Sequence, residues 1–183
     1  MNARQGFVGQ SVERREDTRF LTGRGQYTDD ITLPGQTHGV FLRSPHAHAR
    51  IKSIHTAAAA KAPGVVAVFT GEPFKAVGGL PCGWLINNLD GTPMKEPKHP
   101  VLADGKVRYV GDRVALIVAE TLAQAQAARD LIEVDYEVLT PVIDTGKATA
   151  IASNVHDEAP GNLCYHWGCL LYTSDAADEE DSV

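Results

Sequence analysis

The sequence predicts an α+β domain with few helices and a mixed sheet. Three observations predict it. Short runs of β-branched and aliphatic residues, such as VVAVFTG (65–71) and KVRYVGDRVALIVAE (106–120), are broken by glycine or bounded by turn residues. One stretch, TLAQAQAARDLIE (121–133), carries helical periodicity and is followed at once by alternating residues. No internal repeat is present, and 183 residues at 43% hydrophobic composition suffice for the core of one domain.

Along the chain, residues 6–35 are dense in charge and glycine and predict an extended arm or loop with short strands. Gly35 after Pro34 marks a turn, and HGVFLRS (38–44) alternates as a strand does. ARIKSIH (49–55) sets Ile51 and Ile54 among basic residues; Thr56 fits the N-cap of a short helix in AAAAKA, which Pro63 and Gly64 end. VVAVFTG is continuous and apolar, the pattern of a buried strand. The next thirty or so residues hold Gly78, Gly79, Pro81, Gly83, Gly91, Pro93, Pro97 and Pro100, too long a loop for a simple connection and therefore functional or an interface.

Order then returns. Two strands are expected around Gly111, and Thr121 caps a helix whose apolar stripe is Leu122, Ala125, Ala128, Leu131 and Ile132. Val134, Tyr136 and Val138 share one face of the strand that follows. Residues 140–168, with Pro141 and Pro160, read as a linker crossing away from the domain.

Composition excludes several classes. The chain lacks a run of about 18 apolar residues and an N-terminal apolar h-region. Cys82, Cys164 and Cys169 form neither a CxxC pair nor an even disulfide framework, so free thiols in a reducing, cytoplasmic setting are expected. A net charge of -6 leaves no basic footprint for nucleic acid. Five of the 23 acidic residues lie in 169–183, which has no basic residue, so the rest is nearly neutral. That terminus has too little apolar surface to offset the entropy of ordering it, and it is expected to pack against nothing.

Few residues nominate chemistry. Gly23 and Gly25 suggest a dinucleotide loop, but Thr28 stands where the third glycine belongs and no strand-to-helix context surrounds them; a close-packed turn is expected. His46 and His48, two apart, would point the same way on a strand, as a metal site could use. His38, His55 or a carboxylate could join them in space; a polar strand face or subunit contact is the competing reading. Cys82 beside Trp84 has no charged neighbour in sequence to activate it and is expected to pack under the long loop. Glu16 with Asp17 and Asp29 with Asp30 are adjacent rather than facing, hence caps and solvated charges. No catalytic, cofactor-binding or metal-binding residue is assigned from these patterns.

Several motifs in order carry a resemblance. Arg15-Glu16-Asp17, Arg19-Phe20-Leu21-Thr22-Gly23, Tyr27-Thr28-Asp29-Asp30 and Arg43-Ser44-Pro45-His46-Ala47 resemble the opening of the molybdopterin-binding large subunit of the xanthine dehydrogenase and aldehyde oxidase family, most like the aerobic carbon monoxide dehydrogenase branch. PGVVAVFTGE, VRYVGDRVALIVAETLAQAQAARDLIEVDYEVL and VHDEAPGNL continue it, so that the likeness runs from Val8 to Trp167. It implies an a/b hammerhead fold over 36–140, an N-terminal arm over 1–35 and a linker over 141–168 towards a molybdopterin-binding domain. Residues 169–183 resemble a translated sequencing adaptor, a non-native tail, which implies that the gene continues beyond Gly168.

The same resemblance implies a molybdenum-molybdopterin cofactor in the full-length enzyme, held by residues outside this stretch. Iron-sulfur clusters and FAD would lie on partner subunits, in a homodimer of heterotrimers. No position here matches a family cofactor ligand or catalytic glutamate. The chain would be scaffold and subunit contact, inactive alone, with carbon monoxide, an aldehyde or an N-heterocycle as substrate of the whole enzyme. Leu80, Trp84, Leu85 and Ile86 would form a sticky face that promotes self-association. A stand-alone binding or structural module is the alternative.

Overall fold

The computed structural model describes residues 8, 9 and 11–168. The expected unpacked tail, 169–183, lies outside them. The chain divides into two compact units at Gln36 and Thr37.

In the first unit the expected extended arm with strands is replaced by tight helical turns. Helix α1 (Asp17–Leu21) ends where Gly23 takes φ 70°. The Arg24 N–H donates to the Arg19 carbonyl (2.9 Å) and the Gly23 N–H to the Phe20 carbonyl (3.1 Å), which pairs two of the carbonyls that the helix end exposes. Phe20 then stacks on Tyr27 at 6.0 Å. The glycine density that suggested a loop is, at Gly23, the stop of a helix.

The second unit begins with β1 (His38–Arg43) and β2 (Ala49–His55), followed by a single turn, α2 (Ala57–Ala60). β3 (Val65–Thr70), β4 (Gly79–Leu80), β5 (His99–Pro100) and β6 (Lys106–Val107) come next, then β7 (Arg113–Ala119), helix α3 (Leu122–Arg129) and β8 (Glu133–Val138). The strands form three small sheets, ordered β1-β7-β3, β6-β2-β8 and β4-β5, and every pairing among the described residues is antiparallel. The α+β class with few helices is as expected.

β7 is the middle of its sheet and has both faces covered. Ala115, Ile117 and Ala119 point into one core with Ala59, Ala125, Ala128 and Ile132, while Val114 points into a second with Ala49, Ala103 and Val107. Leu42, Ile54 and Val134 touch both, so the two cores are continuous. Alanines on α2 and α3 let those helices approach the sheet closely. Burying Ile117 and Val114 completely contributes about 1.5–3 kcal/mol each.

β2 solves a parity problem. Ile51 and Ile54 are three apart, which would put them on opposite faces of a regular strand; a register shift between Ile51 and Ser53 turns both into the second core.

Several local expectations change. Thr121 does cap α3, its hydroxyl accepting from the Gln124 N–H (3.2 Å) while the Gln124 side chain accepts from the Thr121 N–H (3.0 Å). But Leu122 (49% exposed) and Leu131 (46%) lie outside the stripe, because α3 has barely begun at the first and has ended at Arg129 before the second. Thr56 is itself helical and its side chain makes no cap bond. β3, expected to be buried, is the edge of its sheet and leaves Val66 and Phe69 exposed. Val138 is also exposed, at the end of β8.

The largest correction concerns 141–168, which folds back along this unit instead of crossing away. It turns through short 3-10 segments at Thr145–Ala150 and Pro160–Asn162. Lys106 pairs with Asp157 (2.9 Å), the Arg108 Nε donates to the Val155 carbonyl (3.2 Å), and Asn162 holds the segment's own turns through the Val155 N–H and the carbonyls of Ala148 and Ser153. Prolines exclude a regular helix there but do not prevent side-chain-supported turns.

Candidate functional site

His46 and His48 lie in the bend between β1 and β2, not on a strand, so the parity that would have aligned them does not apply. The Ser44 hydroxyl shapes that bend by donating to the His46 carbonyl (2.9 Å) and accepting from the His46 N–H (3.0 Å). Asp112 anchors it from the β6–β7 turn. The Asp112 carbonyl accepts from the Ser44 N–H (2.8 Å), and its buried carboxylate accepts the N–H groups of Arg108 and Arg113, both at 3.0 Å.

The two imidazoles go separate ways. His46 meets the edge of Tyr136, ring centres 5.0 Å apart, in a spot where burial pushes the Tyr136 phenol above its usual range. His48, 2% exposed, sets Nδ1 at 2.8 Å from the Thr140 carbonyl and 3.4 Å from the Ser153 hydroxyl. A carbonyl only accepts, so Nδ1 carries a proton towards it, while Nε2 is buried and unpartnered. Among the described residues no three His, Cys, Asp or Glu side chains converge as a metal ion requires.

Cys82 is exposed, contrary to the expected packing under the long loop. Its N–H donates to the Glu96 carboxylate (2.6 Å) and its thiol to the Trp84 carbonyl (3.2 Å). The loop is a hairpin closed by an Asn87–Pro93 bridge and by Asn88, whose amide donates to Thr92. Hydrogen bonds from the Thr92 hydroxyl and N–H hold the Asp90 carboxyl below the usual carboxylate range.

The end of the described chain runs alongside this hairpin. The Lys95 N–H donates to the Cys164 carbonyl (2.8 Å), the Leu89 N–H to the His166 carbonyl (2.9 Å) and the His166 N–H to the Asn88 side chain (2.7 Å). This pairing sets Tyr165 and Trp167 beside Cys82, Trp84, Ile86 and Met94, around an open apolar groove of about 440 Å³. Trp84 is 80% exposed and Trp167 61%.

A second cleft, about 360 Å³, is lined by Lys75, Lys98, Arg108, Asp104 and Glu158 beside the turn at Gly78 and Gly79. It is partly neutralised internally, since Lys75 pairs with Glu72 and Asp104. Nearby, the Arg113 guanidinium donates to the His99 Nε2 at 2.7 Å. In the first unit Arg15, Arg19 and Arg24 line a shallow cleft, and Asp30 accepts the Tyr27 N–H (2.9 Å), a capping role as expected for the paired acids. α1 precedes Gly23 and Gly25, the reverse of a strand-to-helix phosphate loop, and Gly25 lies under the Phe20 ring.

Two organising residues escaped the sequence reading. Asp112 had a usable signal, an aspartate directly after Gly111 at a strand entry; Asn162, with φ 55° after Pro160 and Gly161, had one in its Pro-Gly-Asn turn.

Element order and the three-sheet arrangement define an α+β domain of the hammerhead class. The chain belongs to the aldehyde oxidase and xanthine dehydrogenase family: that family's a/b hammerhead domain matches residues 22–140. It is 40% identical over 157 residues to the nicotine 6-hydroxylase large subunit of Paenarthrobacter nicotinovorans, covering 85% of this chain and 19% of that one. It is 43% identical over 142 residues to the carbon monoxide dehydrogenase large chain of Afipia carboxidovorans, covering 77% and 16%. Among solved structures it superposes on quinoline 2-oxidoreductase from Pseudomonas putida 86 with a TM-score of 0.75 at 40% identity, over 83% of this chain and 19% of that one.

The chain thus spans less than a quarter of the relatives it matches, and the family is one of molybdopterin oxidoreductases. The apolar groove does not fit a molybdopterin. The only buried, unpartnered side-chain nitrogen or oxygen atom among the described residues, Nε2 of His48, does not line it, and the groove has no buried side-chain donor to grip a phosphate or pterin edge.

Proposed function

We propose that this chain is the hammerhead portion of the large subunit of a molybdenum hydroxylase, acting as scaffold and subunit contact and inactive by itself. The observation that supports the reading most is the match of most of this chain to under a fifth of two large subunits. On this reading the molybdenum-molybdopterin cofactor is held by other parts of the large subunit, and iron-sulfur clusters and FAD sit on partner subunits of a cytoplasmic homodimer of heterotrimers. The whole enzyme oxidises carbon monoxide, an aldehyde or an N-heterocycle.

Proton abstraction by such an enzyme needs a base placed within hydrogen-bond reach of the reacting atoms, and His46, His48 and Cys82 are separately engaged or exposed. Two measurements test the proposal. Genomic sequence beyond the codon for Gly168 should continue in frame into a long molybdopterin-binding region; a stop after Val183 overturns the reading. Purified chain should contain no stoichiometric molybdenum and reduce no artificial acceptor with carbon monoxide, aldehydes or purines. Turnover that is lost in Cys82→Ala or His46→Ala would refute the scaffold role.

A further inference from the structure

We propose that the apolar groove lined by Cys82, Trp84, Ile86, Met94, Tyr165 and Trp167 seats the stretch of the same polypeptide that follows residue 168 in the full-length large subunit, and not a partner subunit or a second copy. The inference rests on the reading of this chain as part of a longer large subunit.

The lining comes first. Six uncharged, mostly apolar side chains meet around about 440 Å³ with two tryptophans largely in water, and no charged side chain is among them. Exposed aromatic surface of this kind is unfavourable to leave in solvent and marks a contact. Contacts made once and kept are the more apolar class, whereas surfaces that meet partners transiently carry charged, solvated rims, so the lining points to a permanent occupant.

Placement then selects the occupant. Tyr165 and Trp167 belong to the last four described residues and are fixed in the groove by the hydrogen bonds of Cys164 and His166 to Lys95, Leu89 and Asn88. The chain therefore leaves the described structure from the groove itself. A segment tethered there meets the groove at an effective concentration on the order of millimolar, which a separate subunit must match by affinity. The relatives also have ample chain to supply it, since the matched stretches are 19% and 16% of their lengths.

The test uses the assembled full-length enzyme with Trp84→p-benzoylphenylalanine, irradiated and mapped by mass spectrometry, after mixing isotopically light and heavy large subunits. Cross-links from position 84 to residues beyond 168 within one isotopic chain are expected. Cross-links to the iron-sulfur or flavin subunit, or between light and heavy chains, overturn the proposal. A second readout leaves the groove unaltered: maleimide labelling of Cys82, resolved at the peptide level. It should be fast in the 183-residue chain and at least 100-fold slower in the full-length large subunit. Fast labelling in both shows an open groove, and slow labelling already in the short chain assigns it to that chain's own terminus or to a second copy; either overturns the proposal. A genomic stop after Val183 removes the underlying reading before any labelling is done, whereas an in-frame continuation with an open groove removes this inference alone.

Discussion

The Nδ1 of His48 lies 2.8 Å from the main-chain oxygen of Thr140, tying the bend between β1 and β2 to the chain that leaves β8. The adjacent Leu139 N–H donates to the His48 carbonyl at 2.9 Å, so side chain and backbone clasp the same neighbour. Replacing the imidazole removes the donor that the carbonyl of the exposed Thr140 uses. His48→Phe should cost about 0.5–1.5 kcal/mol in urea unfolding, and hydrogen exchange should quicken at 139–153 more than in β7. An unchanged midpoint would mean that water serves Thr140 equally well.

Ile117 anchors the first core at zero exposure on the central strand. Ile117→Val should lose about 0.5–1.5 kcal/mol and Ile117→Ala about 2–5 kcal/mol, because the alanines around it cannot move in to fill the space. Thermal and denaturant unfolding of both variants check this, and equal losses would indicate a site that collapses freely.

Gly71 ends β3 against the chain before β6. A Cβ there would stand 2.5 Å from the Ala103 carbonyl oxygen and 3.0 Å from its carbon, both main-chain atoms that cannot swing aside. Gly71→Ala should therefore destabilise by roughly 1–3 kcal/mol through overpacking, measured by the same unfolding curves. A neutral or stabilising substitution would contradict that contact.

His156 supplies a pH dependence. Burial, then the Arg108 guanidinium, hold its imidazole below the ordinary value near 6.5, with Lys106 and His99 adding to the effect against Glu158. The unfolded chain therefore takes up this proton at a higher pH than the folded one. Stability is unaffected above about pH 6.5 and falls as pH drops from there through the folded pKa. Asp157, held low chiefly by Lys106, adds a separate loss only below about pH 4. In His156→Gln the decline that begins near pH 6.5 should flatten while the acid one stays; a profile identical to the parent's would remove His156 as the source.

Legibility in the sequence followed periodicity. β7, α3 and β8 could be read because Val114, Ala115, Ile117, Ala125, Ala128 and Val134 repeat at strand or helix spacing. α1 is too short to show a period, and its helical end depends on one glycine dihedral. β3 has the composition of a central strand but sits at an edge, a fact fixed by its neighbours and not by its residues. The fold-back of 141–168 depends on individual bonds from Lys106, Arg108 and Asn162, which leave no pattern. The candidate site was half visible: glycine and proline density marked the long loop, but the apolar groove beside Cys82 depends on a pairing of that loop with residues 164–166 far along the chain.

The central place of β7 has a consequence for how the molecule is made. β1 and β3 do not pair with each other; each closes only on β7, His38 and Val65 both opposite Ala119. During synthesis both strands must therefore emerge with bare edges and wait until the ribosome has delivered nearly all of the domain. Contacts that span so much sequence are slow to close, and unpaired strand edges are sticky while they wait. A nascent chain stalled before residue 113 would then depend on chaperones, and one stalled only after β8, which closes β2 as well, would not.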